Sequence, residues 1–351
     1  INHDFKNSKI SEYFNQIKFQ YSNVRYAEKY GEHIKKSKLI DLCLNTQVVN
    51  FNGDNGVFKQ AEIISSKKTF FVKSKFFVLA CGGIENSRIL LWTRVNNRSL
   101  IDKNLPIGKY WMTHPWFLGG VGFLKKKKLK GILKNDFLEY SGPIHIASSK
   151  KIVNDYKILS GALYMNADED NKIYKEIIKD FLCISPVYGK KIARMVFNKD
   201  LKCGNVFMSM EEAANENNKI DLDKNDTDTN NVPITNLYYK KSKETLTSAK
   251  KILEELAYLF ANSDIGRIGI MEKIENLESY ESLGAYHHMG GTRIGIDPKT
   301  SVVNSQLKLH SSKNFYITGS SVFTTSGYAN PTYTIVKLSL RLADEIEKNL
   351  N

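Results

Sequence analysis

Twice along this chain, an apolar run ends at glycines and is followed by residues typical of a helix. Residues 76–80 precede Gly82 and Gly83, and residues 314–318 precede Gly319. An unbroken apolar strand suits a parallel sheet covered on both faces, and glycines at its carboxyl edge let the backbone approach a ligand closely. The pattern therefore predicts an α/β fold, although it is also typical of an ordinary connection between a strand and a helix.

The end of the chain predicts one amphipathic helix over Thr332–Leu350. Asn330 is a favoured N-cap residue, and Pro331 suits the first helical position, where its missing N–H costs nothing. The positive end of the helix dipole would then stabilise negative charge beside Asn330. The apolar face recurs at helical spacing and consists of Ile335, Leu338, Leu342 and Ile346.

Two neighbouring histidines, His287 and His288, precede Gly290 and Gly291. Side chains of neighbouring residues on an extended segment point to opposite sides, so at most one of the two faces a site while the other packs or meets solvent. A neutral imidazole is suited to accept a proton near pH 7. A metal site is disfavoured, because no third ligand follows at helical spacing and the cysteines form no Cys-x-x-Cys pair.

Four runs resemble the signature of the glucose–methanol–choline (GMC) oxidoreductases, which are FAD-dependent enzymes. They are Ala-Cys-Gly-Gly-Ile-Glu-Asn-Ser-Arg at 80–88, Tyr-His-His-Met-Gly-Gly-Thr-Arg at 286–293, Gly-Ser-Ser-Val-Phe at 319–323 and Gly-Tyr-Ala-Asn-Pro-Thr at 327–332. The resemblance implies oxidation of the CH–OH group of an alcohol, sugar or polyol, with hydride passing to flavin N5. It also implies His287 as the base and Asn330 as the second catalytic residue.

The same resemblance implies where the cofactor FAD binds. Val48 would lie near the adenine, the residues after the strand at 76–80 near the phosphates and ribose, and the start of the last helix near the flavin ring. The implied FAD-binding residues are Val48, Ala80, Cys81, Gly82, Gly319, Ser320, Asn330, Pro331 and Thr332. Two alternatives stay open: Val48 is also explained by strand packing, and the Asn330 side chain by capping of its own helix.

The resemblance also predicts how the chain is divided. Residues 1–110 would form the first part of an FAD-binding domain of the doubly wound type, residues 111–280 an antiparallel-sheet substrate domain, and residues 281–351 the C-terminal part of the FAD-binding domain. No Gly-x-Gly-x-x-Gly precedes the first strand, so we expect a fragment without the first βαβ unit. The alternative function is a non-catalytic fragment or glycan-binding module that needs a separate N-terminal segment to bind FAD.

Charge and hydropathy indicate which classes of partner the chain can bind. The chain carries 51 basic and 37 acidic residues, a net charge of +14, but the lysines are spread widely and no nucleic-acid-binding motif accompanies them. No apolar run is long enough to span a membrane. We therefore expect no nucleic acid and no membrane span. The resemblance to the GMC oxidoreductases implies a small-molecule alcohol or sugar substrate and an electron acceptor of unknown class.

Several predictions concern single residues and segments. We interpret His114, which precedes a proline in a run similar to the family's entry into the substrate domain, as structural. Strands are predicted at 152–165, 206–212 and 234–239, and a helix at 243–261. The cysteines are scattered in apolar surroundings, which is typical of reduced thiols in a cytoplasmic protein; they are Cys43, Cys81, Cys183 and Cys203.

Overall fold

The computed structural model describes residues 9–17, 24–125, 144–165, 182–183, 186–197, 203–284 and 286–350. The helices are α1 (Lys9–Tyr13), α2 (Tyr26–Lys36), α3 (Gly82–Asn96), α4 (Lys150–Tyr156), α5 (Pro186–Phe197), α6 (Lys243–Asn262), α7 (Glu272–Glu275) and α8 (Thr332–Leu350). The strands are β1 (Phe14–Gln16), β2 (Thr46–Asp54), β3 (Val57–Ser65), β4 (Lys68–Lys73), β5 (Phe77–Leu79), β6 (Trp116–Leu124), β7 (Ile144–Ser148), β8 (Gly161–Met165), β9 (Gly204–Met210), β10 (Lys219–Thr227), β11 (Pro233–Tyr238), β12 (Gly266–Ile270) and β13 (Phe315–Ile317).

The largest sheet has six strands in the order β1-β7-β8-β9-β6-β12, and every neighbouring pair is antiparallel. Helix α6 packs against it and begins at Ser242, whose side chain accepts a hydrogen bond from the Glu244 N–H. The prediction of a helix at 243–261 is confirmed. Its apolar stripe forms the centre of the first core through Leu246, Ile252, Leu253, Leu256, Leu259 and Phe260, which are all buried.

Strand β1 lies at the edge of this sheet and pairs with β7. Phe14 is fully buried in the same core, so this short piece of residues 1–110 does not lie with the parallel strands with which the predicted division groups it. Strand β8 begins at Gly161, and the prediction of a strand from residue 152 is wrong. The Ser149 side chain accepts hydrogen bonds from the N–H groups of Lys151 and Ile152 and thereby starts helix α4 instead.

Strands β2 to β5, strand β13 and helix α3 surround a second hydrophobic core, and they include the parallel strands that the two glycine-terminated runs predict. Strands β5 and β13 pair in parallel, and α3 follows β5 directly. The three-stranded meander β2-β3-β4 lies beside them, and its first turn places Asn55 and Gly56 at positive φ, as a two-residue hairpin requires. An aromatic group formed by Phe51, Phe58 and Phe315 lies in the core between these elements. The α/β class and the antiparallel sheet of the remaining part are confirmed.

Helix α8 has the predicted bounds, but its start is capped differently. The first helical hydrogen bond runs from the Ile335 N–H to the Pro331 carbonyl, 3.0 Å, so Pro331 is the N-cap and the assignment of that role to Asn330 is wrong. Of its apolar face, Leu342 is buried, and Leu338 and Ile346 pack against the second core.

The cysteines also correct an expectation. Cys183 and Cys203, on either side of α5, form a disulfide with their Cα atoms 6.0 Å apart, whereas Cys43 and Cys81 are free thiols. The prediction of four reduced thiols is therefore wrong, because scattered positions in sequence say little about distance in the fold. The cysteine argument for a cytoplasmic location no longer holds, and that location stays a prediction. Among the described helices, none combines the length and the apolar character needed to cross a bilayer.

Candidate active site

The segments that carry His114 and His287 run antiparallel. The N–H of Met112 donates to the Met289 carbonyl at 2.8 Å, and the Met289 N–H donates back at 2.9 Å. In an antiparallel pair this register places His114 opposite His287. Gly290 permits the close approach, since it adopts φ +77° and a Cβ there would collide with the Tyr110 carbonyl oxygen.

The two imidazoles share a hydrogen bond between His114 Nε2 and His287 Nδ1. Their ring planes lie within 8° of parallel, with centroids 4.6 Å apart. His114 is buried with 3% of its surface exposed, whereas His287 is half-buried. The interpretation of His114 as merely structural is therefore too narrow, because it contacts the proposed base directly.

The hydrogen-bond chain continues into the six-stranded sheet. His114 Nδ1 lies 2.9 Å from Ser209 Oγ on β9, and this hydroxyl donates to the Tyr328 carbonyl at 2.7 Å. The chain thus connects His287 with the loop that leads to Asn330. Ser209 is 2% exposed and His114 is 3% exposed, so the polar atoms of these two side chains must find their partners within the protein.

Burial keeps both imidazoles neutral. For His114, burial and then the neighbouring His287 lower the pKa to about 4, and the Tyr328 carbonyl opposes them only in part. For His287, burial and then His288 lower the pKa below its ordinary 6.5. Near pH 7 both rings are therefore neutral, and His287 is in the state that accepts a proton.

His288 packs away from this chain, as expected for the second member of a neighbouring pair. Its ring lies 5.5 Å from the Trp111 ring, and its carbonyl accepts a hydrogen bond from Ser320 Oγ at 2.6 Å. Gly83 lies so close that a Cβ there would collide with the His288 carbonyl oxygen. His288 thus joins the two glycine loops at the sheet edge.

The carboxyl ends of the parallel strands β5 and β13 meet at one edge, and buried Asn86 ties their loops together. Asn86 Oδ1 accepts from the Cys81 N–H at 2.7 Å, and its amide donates to the Thr318 carbonyl at 2.9 Å and to Ser321 Oγ at 2.8 Å. One side chain of α3 therefore fixes the loop after β5 against the loop after β13.

This edge suits a phosphate-bearing cofactor. Gly82 and Gly319 adopt φ +94° and +107°, and a Cβ on Gly82 would meet no atom within 4 Å, so backbone faces open space there. Ala80 and Cys81 are exposed beside the start of α3, whose free N–H groups favour an anion. Four of the residues predicted for FAD, which are Ala80, Cys81, Gly82 and Gly319, are thus compatible with a phosphate group at the edge of β5 and β13.

The remaining predicted FAD residues lie around the same part of the fold. Val48 is half-buried on β2 and packs against the second core. Ser320 follows Gly319 and is held by the His288 carbonyl, while Pro331 is buried and Thr332 is exposed at the start of α8.

Asn330 is exposed and lines a cavity of about 390 Å³, which is formed by residues 322–331 together with Ser160, Ile294, Thr334 and Leu338. Within the described ranges, its side chain makes no hydrogen bond, so it is not used as a helix cap. His287 does not line this cavity. The structure therefore joins His287 to the Tyr328 carbonyl through His114 and Ser209, whereas Asn330, two residues further on, shares no hydrogen bond with His287.

An aromatic wall lies on the sheet face that carries Ser209. Trp116 pairs directly with Ser209 across β6 and β9, so both side chains project from the same face. The Trp116 ring is 37% exposed and lies 5.5 Å from the Phe207 ring and 6.2 Å from the Tyr164 ring. A ligand bound beside His287 on this face would meet apolar ring surface.

Glu212 supports the His114 segment from behind. Its carboxylate accepts from the Thr113 N–H at 3.2 Å and from the Tyr239 hydroxyl at 2.7 Å, and its own N–H donates to Ser326 Oγ at 2.9 Å. Burial raises the pKa of Glu212 to about 7, against the opposing hydrogen bond from Tyr239. A buried acid thus connects the segment before His114 with the loop before Asn330.

Sequence reasoning missed His114, Ser209, Asn86 and Glu212 as members of this site. The signals were weak: His114 precedes a proline, Asn86 lies within a quoted run, and neither Ser209 nor Glu212 belongs to a motif. Within the described residues, no group of three potential metal ligands occurs.

Comparisons with known proteins agree with this architecture. The sequence model of the GMC oxidoreductase family matches residues 214–339. The chain is 23% identical over 299 residues to the fructose dehydrogenase large subunit of Gluconobacter japonicus, covering 81% of this chain and 49% of that protein. It is 22% identical over 326 residues to the 2-methyl-1,2-propanediol dehydrogenase of Mycolicibacterium austroafricanum, covering 89% and 55%.

Two solved structures share the fold at low identity. Pyridoxine 4-oxidase from Mesorbium loti superposes with a TM-score of 0.60 at 10% identity, covering 95% of this chain and 64% of that one. An FAD-dependent oxidoreductase from Chaetomium thermophilum superposes with a TM-score of 0.53 at 12% identity, covering 92% and 64%. The chain spans about half the length of the curated relatives that it matches.

Proposed function

We propose that the chain is a member of the GMC oxidoreductase family, whose sequence model matches residues 214–339, and that it forms part of an FAD-dependent oxidoreductase acting on the CH–OH group of an alcohol, sugar or polyol. Bound FAD would supply the hydride acceptor, flavin N5, which this chain's side chains cannot replace. The observation that carries the proposal is a neutral, half-exposed His287 held beside the glycine loops at the edge of parallel strands.

His287 acts as the general base in this proposal. It takes the proton of the substrate hydroxyl, while the carbon–hydrogen bond breaks with its electron pair and the product is the carbonyl compound. The lowered pKa of His287 supports this role, because the ring is unprotonated near pH 7. The imidazolium that forms then releases its proton before the next cycle.

Asn330 orients the substrate oxygen in this proposal. A carboxamide can donate to a hydroxyl or carbonyl oxygen, and the Asn330 side chain is exposed and not used as a helix cap. The proposal for Asn330 rests on its place in the Gly-Tyr-Ala-Asn-Pro-Thr run and on its nearness in sequence to Tyr328, which the hydrogen-bond chain reaches.

The aromatic wall favours a substrate that presents C–H groups to the rings, as sugars and polyols do. Trp116, Phe207 and Tyr164 offer ring faces next to Ser209, and such faces pack well against a sugar or polyol skeleton. The relatives are named for fructose, 2-methyl-1,2-propanediol and pyridoxine, and these three alcohols form the first panel of substrates to test. Trp116→Ala should raise KM more than it lowers kcat if the wall binds substrate.

The test follows bleaching of the flavin absorbance under anaerobic conditions with this panel of alcohols. His287→Ala should slow bleaching by about 10²–10⁴-fold, the usual contribution of a general base. His33→Ala is the matched control, since His33 is exposed on α2 and should leave the rate unchanged.

Two outcomes would count against the proposal. A bleaching rate of His287→Ala within about threefold of the parent would exclude His287 as the base. Saturable binding of a sugar without any bleaching would indicate the alternative, a glycan-binding module.

A further inference from the structure

The chain of hydrogen bonds behind His287 decides where its protons lie. Ser209 Oγ has one hydrogen and lies 2.7 Å from the Tyr328 carbonyl and 2.9 Å from His114 Nδ1. A carbonyl oxygen only accepts, so the hydroxyl hydrogen must point to Tyr328. If it pointed to His114 instead, two acceptor oxygens would face each other at 2.7 Å in a buried place with no hydrogen between them, which is unfavourable.

The direction of the first hydrogen bond fixes all the others. Because Ser209 Oγ offers His114 only a lone pair, His114 Nδ1 carries a hydrogen and donates to it. A neutral imidazole has one donor nitrogen and one acceptor nitrogen, so His114 Nε2 is the acceptor. His287 Nδ1, its partner, must then be the donor, which leaves His287 Nε2 with the free lone pair.

We propose that His114 and Ser209 are positioning residues that hold His287 in the Nδ1–H tautomer, so that Nε2 is the nitrogen that takes the substrate proton. The proposal rests on the proposed function for the role of Nε2, but the tautomer itself is a property of this chain alone. His114 is 3% exposed and Ser209 is 2% exposed, so water cannot substitute for either partner.

The same chain accommodates the protonated state. When Nε2 of His287 gains a proton, Nδ1–H remains bonded to the neutral acceptor nitrogen of His114, and no other proton needs to move. An orienting carboxylate would stabilise the imidazolium much more and raise its pKa. A neutral imidazole in that place orients His287 and still leaves it unprotonated near pH 7.

Backbone hydrogen bonds fix the position of His114 relative to His287. The reciprocal bonds between Met112 and Met289 set the register, and the Glu212 carboxylate holds the Thr113 N–H at 3.2 Å. His114 is therefore fixed from its own segment as well as through its ring. This is the kind of support that a base needs in order to keep one orientation.

The test reads the tautomer directly by correlation NMR of the flavin-loaded protein carrying ¹⁵N-labelled histidine. The chain has seven histidines, and the His287 signals are assigned by their loss in His287→Gln. Near neutral pH we expect a protonated Nδ1 and an unprotonated Nε2 for His287. An Nε2–H tautomer in the parent protein would overturn the proposal without reference to any variant.

Two substitutions at His114 separate positioning from folding. His114→Phe removes the acceptor, so His287 should show both tautomers and kcat should fall about 10–100-fold with little change in KM. His114→Gln offers an amide oxygen near the former Nε2 and should restore most of both signals. A kcat of His114→Phe within threefold of the parent, or an unchanged His287 tautomer in it, would contradict the proposal.

Failure of the proposed function has a different signature. If His287 shows the Nδ1–H tautomer in the parent and loses it in His114→Phe, the inference that His114 sets the tautomer stands even when no alcohol is oxidised. If no alcohol bleaches the flavin in the same preparation, only the proposed oxidation is refuted.

Discussion

Glu212 offers the sharpest stability test, because it is 1% exposed and still carries a titratable carboxyl. Burial raises its pKa from 4.5 to about 7, while the hydrogen bonds from Tyr239 and Thr113, and Lys241 nearby, oppose the rise. Tyr280, whose ring also lies in this cluster, adds no positive charge. The perturbation is Glu212→Gln, which keeps the shape and one acceptor oxygen but cannot ionise.

The direction in which stability changes with pH follows from proton linkage. The folded protein holds the Glu212 proton more tightly than the unfolded chain, so the stabilisation is complete below about pH 4.5 and is lost as the pH rises through about 7. At roughly 1.4 kcal/mol per tenfold change in proton affinity, the loss amounts to about 3 kcal/mol. Glu212→Gln loses one acceptor, a constant cost of about 1–3 kcal/mol, but escapes this pH-dependent loss.

Urea unfolding of parent and variant between about pH 4 and pH 8 measures the difference. The unfolding free energy of Glu212→Gln relative to the parent should rise by about 3 kcal/mol across this range. Glu272→Gln, on exposed α7, controls for the loss of one acidic charge. A difference between variant and parent that stays constant with pH would refute the reasoning, because Glu212 would then have an ordinary pKa.

Three further outcomes are expected. The acid limb of kcat/KM should lie below pH 6.5, since burial lowers the pKa of His287, and a limb above 6.5 would exclude it as the titrating base. Gly290→Ala should lower the unfolding free energy by about 2–4 kcal/mol because of its positive φ and lack of space, whereas Gly31→Ala, in open space on α2, should be neutral or stabilising. A thiol assay of the denatured, unreduced chain should count two thiols, and four would disprove the Cys183–Cys203 disulfide.

Local patterns predicted the elements whose stability depends on their own side chains. The stripe of α6 and the turn at Asn55 and Gly56 could be recognised, because helical spacing and positive φ leave marks in neighbouring residues. The prediction of a strand from residue 152 failed because a local signal, the N-cap, was overlooked. Its apolar content suggested β-structure, but one N-cap serine at position 149 favours a helical turn, and strand spacing alone does not reveal it.

The site was predictable only where it coincided with a motif. His287 and the loops at Gly82 and Gly319 carry recognisable runs, but the contact between His114 and His287 joins residues 173 positions apart. It depends on the register set by Met112 and Met289, and no pattern in either segment specifies that pairing. The disulfide was missed on the same physical ground, since Cys183 and Cys203 are brought together by the path of the chain around α5.

Gly290 allows two histidines from separate parts of the fold, His287 and His114, to meet. His287 belongs to a segment that continues through Gly290 to Thr292, and the Thr292 hydroxyl bonds Ser321 Oγ at 2.7 Å at the edge of the parallel strands. His114 leads directly into β6 of the antiparallel sheet. Because Gly290 lets these two segments approach closely, His287 is connected to the edge of the parallel strands and His114 to the antiparallel sheet. A substitution that separates the segments should therefore break the hydrogen bond between His114 and His287 before it unfolds either part.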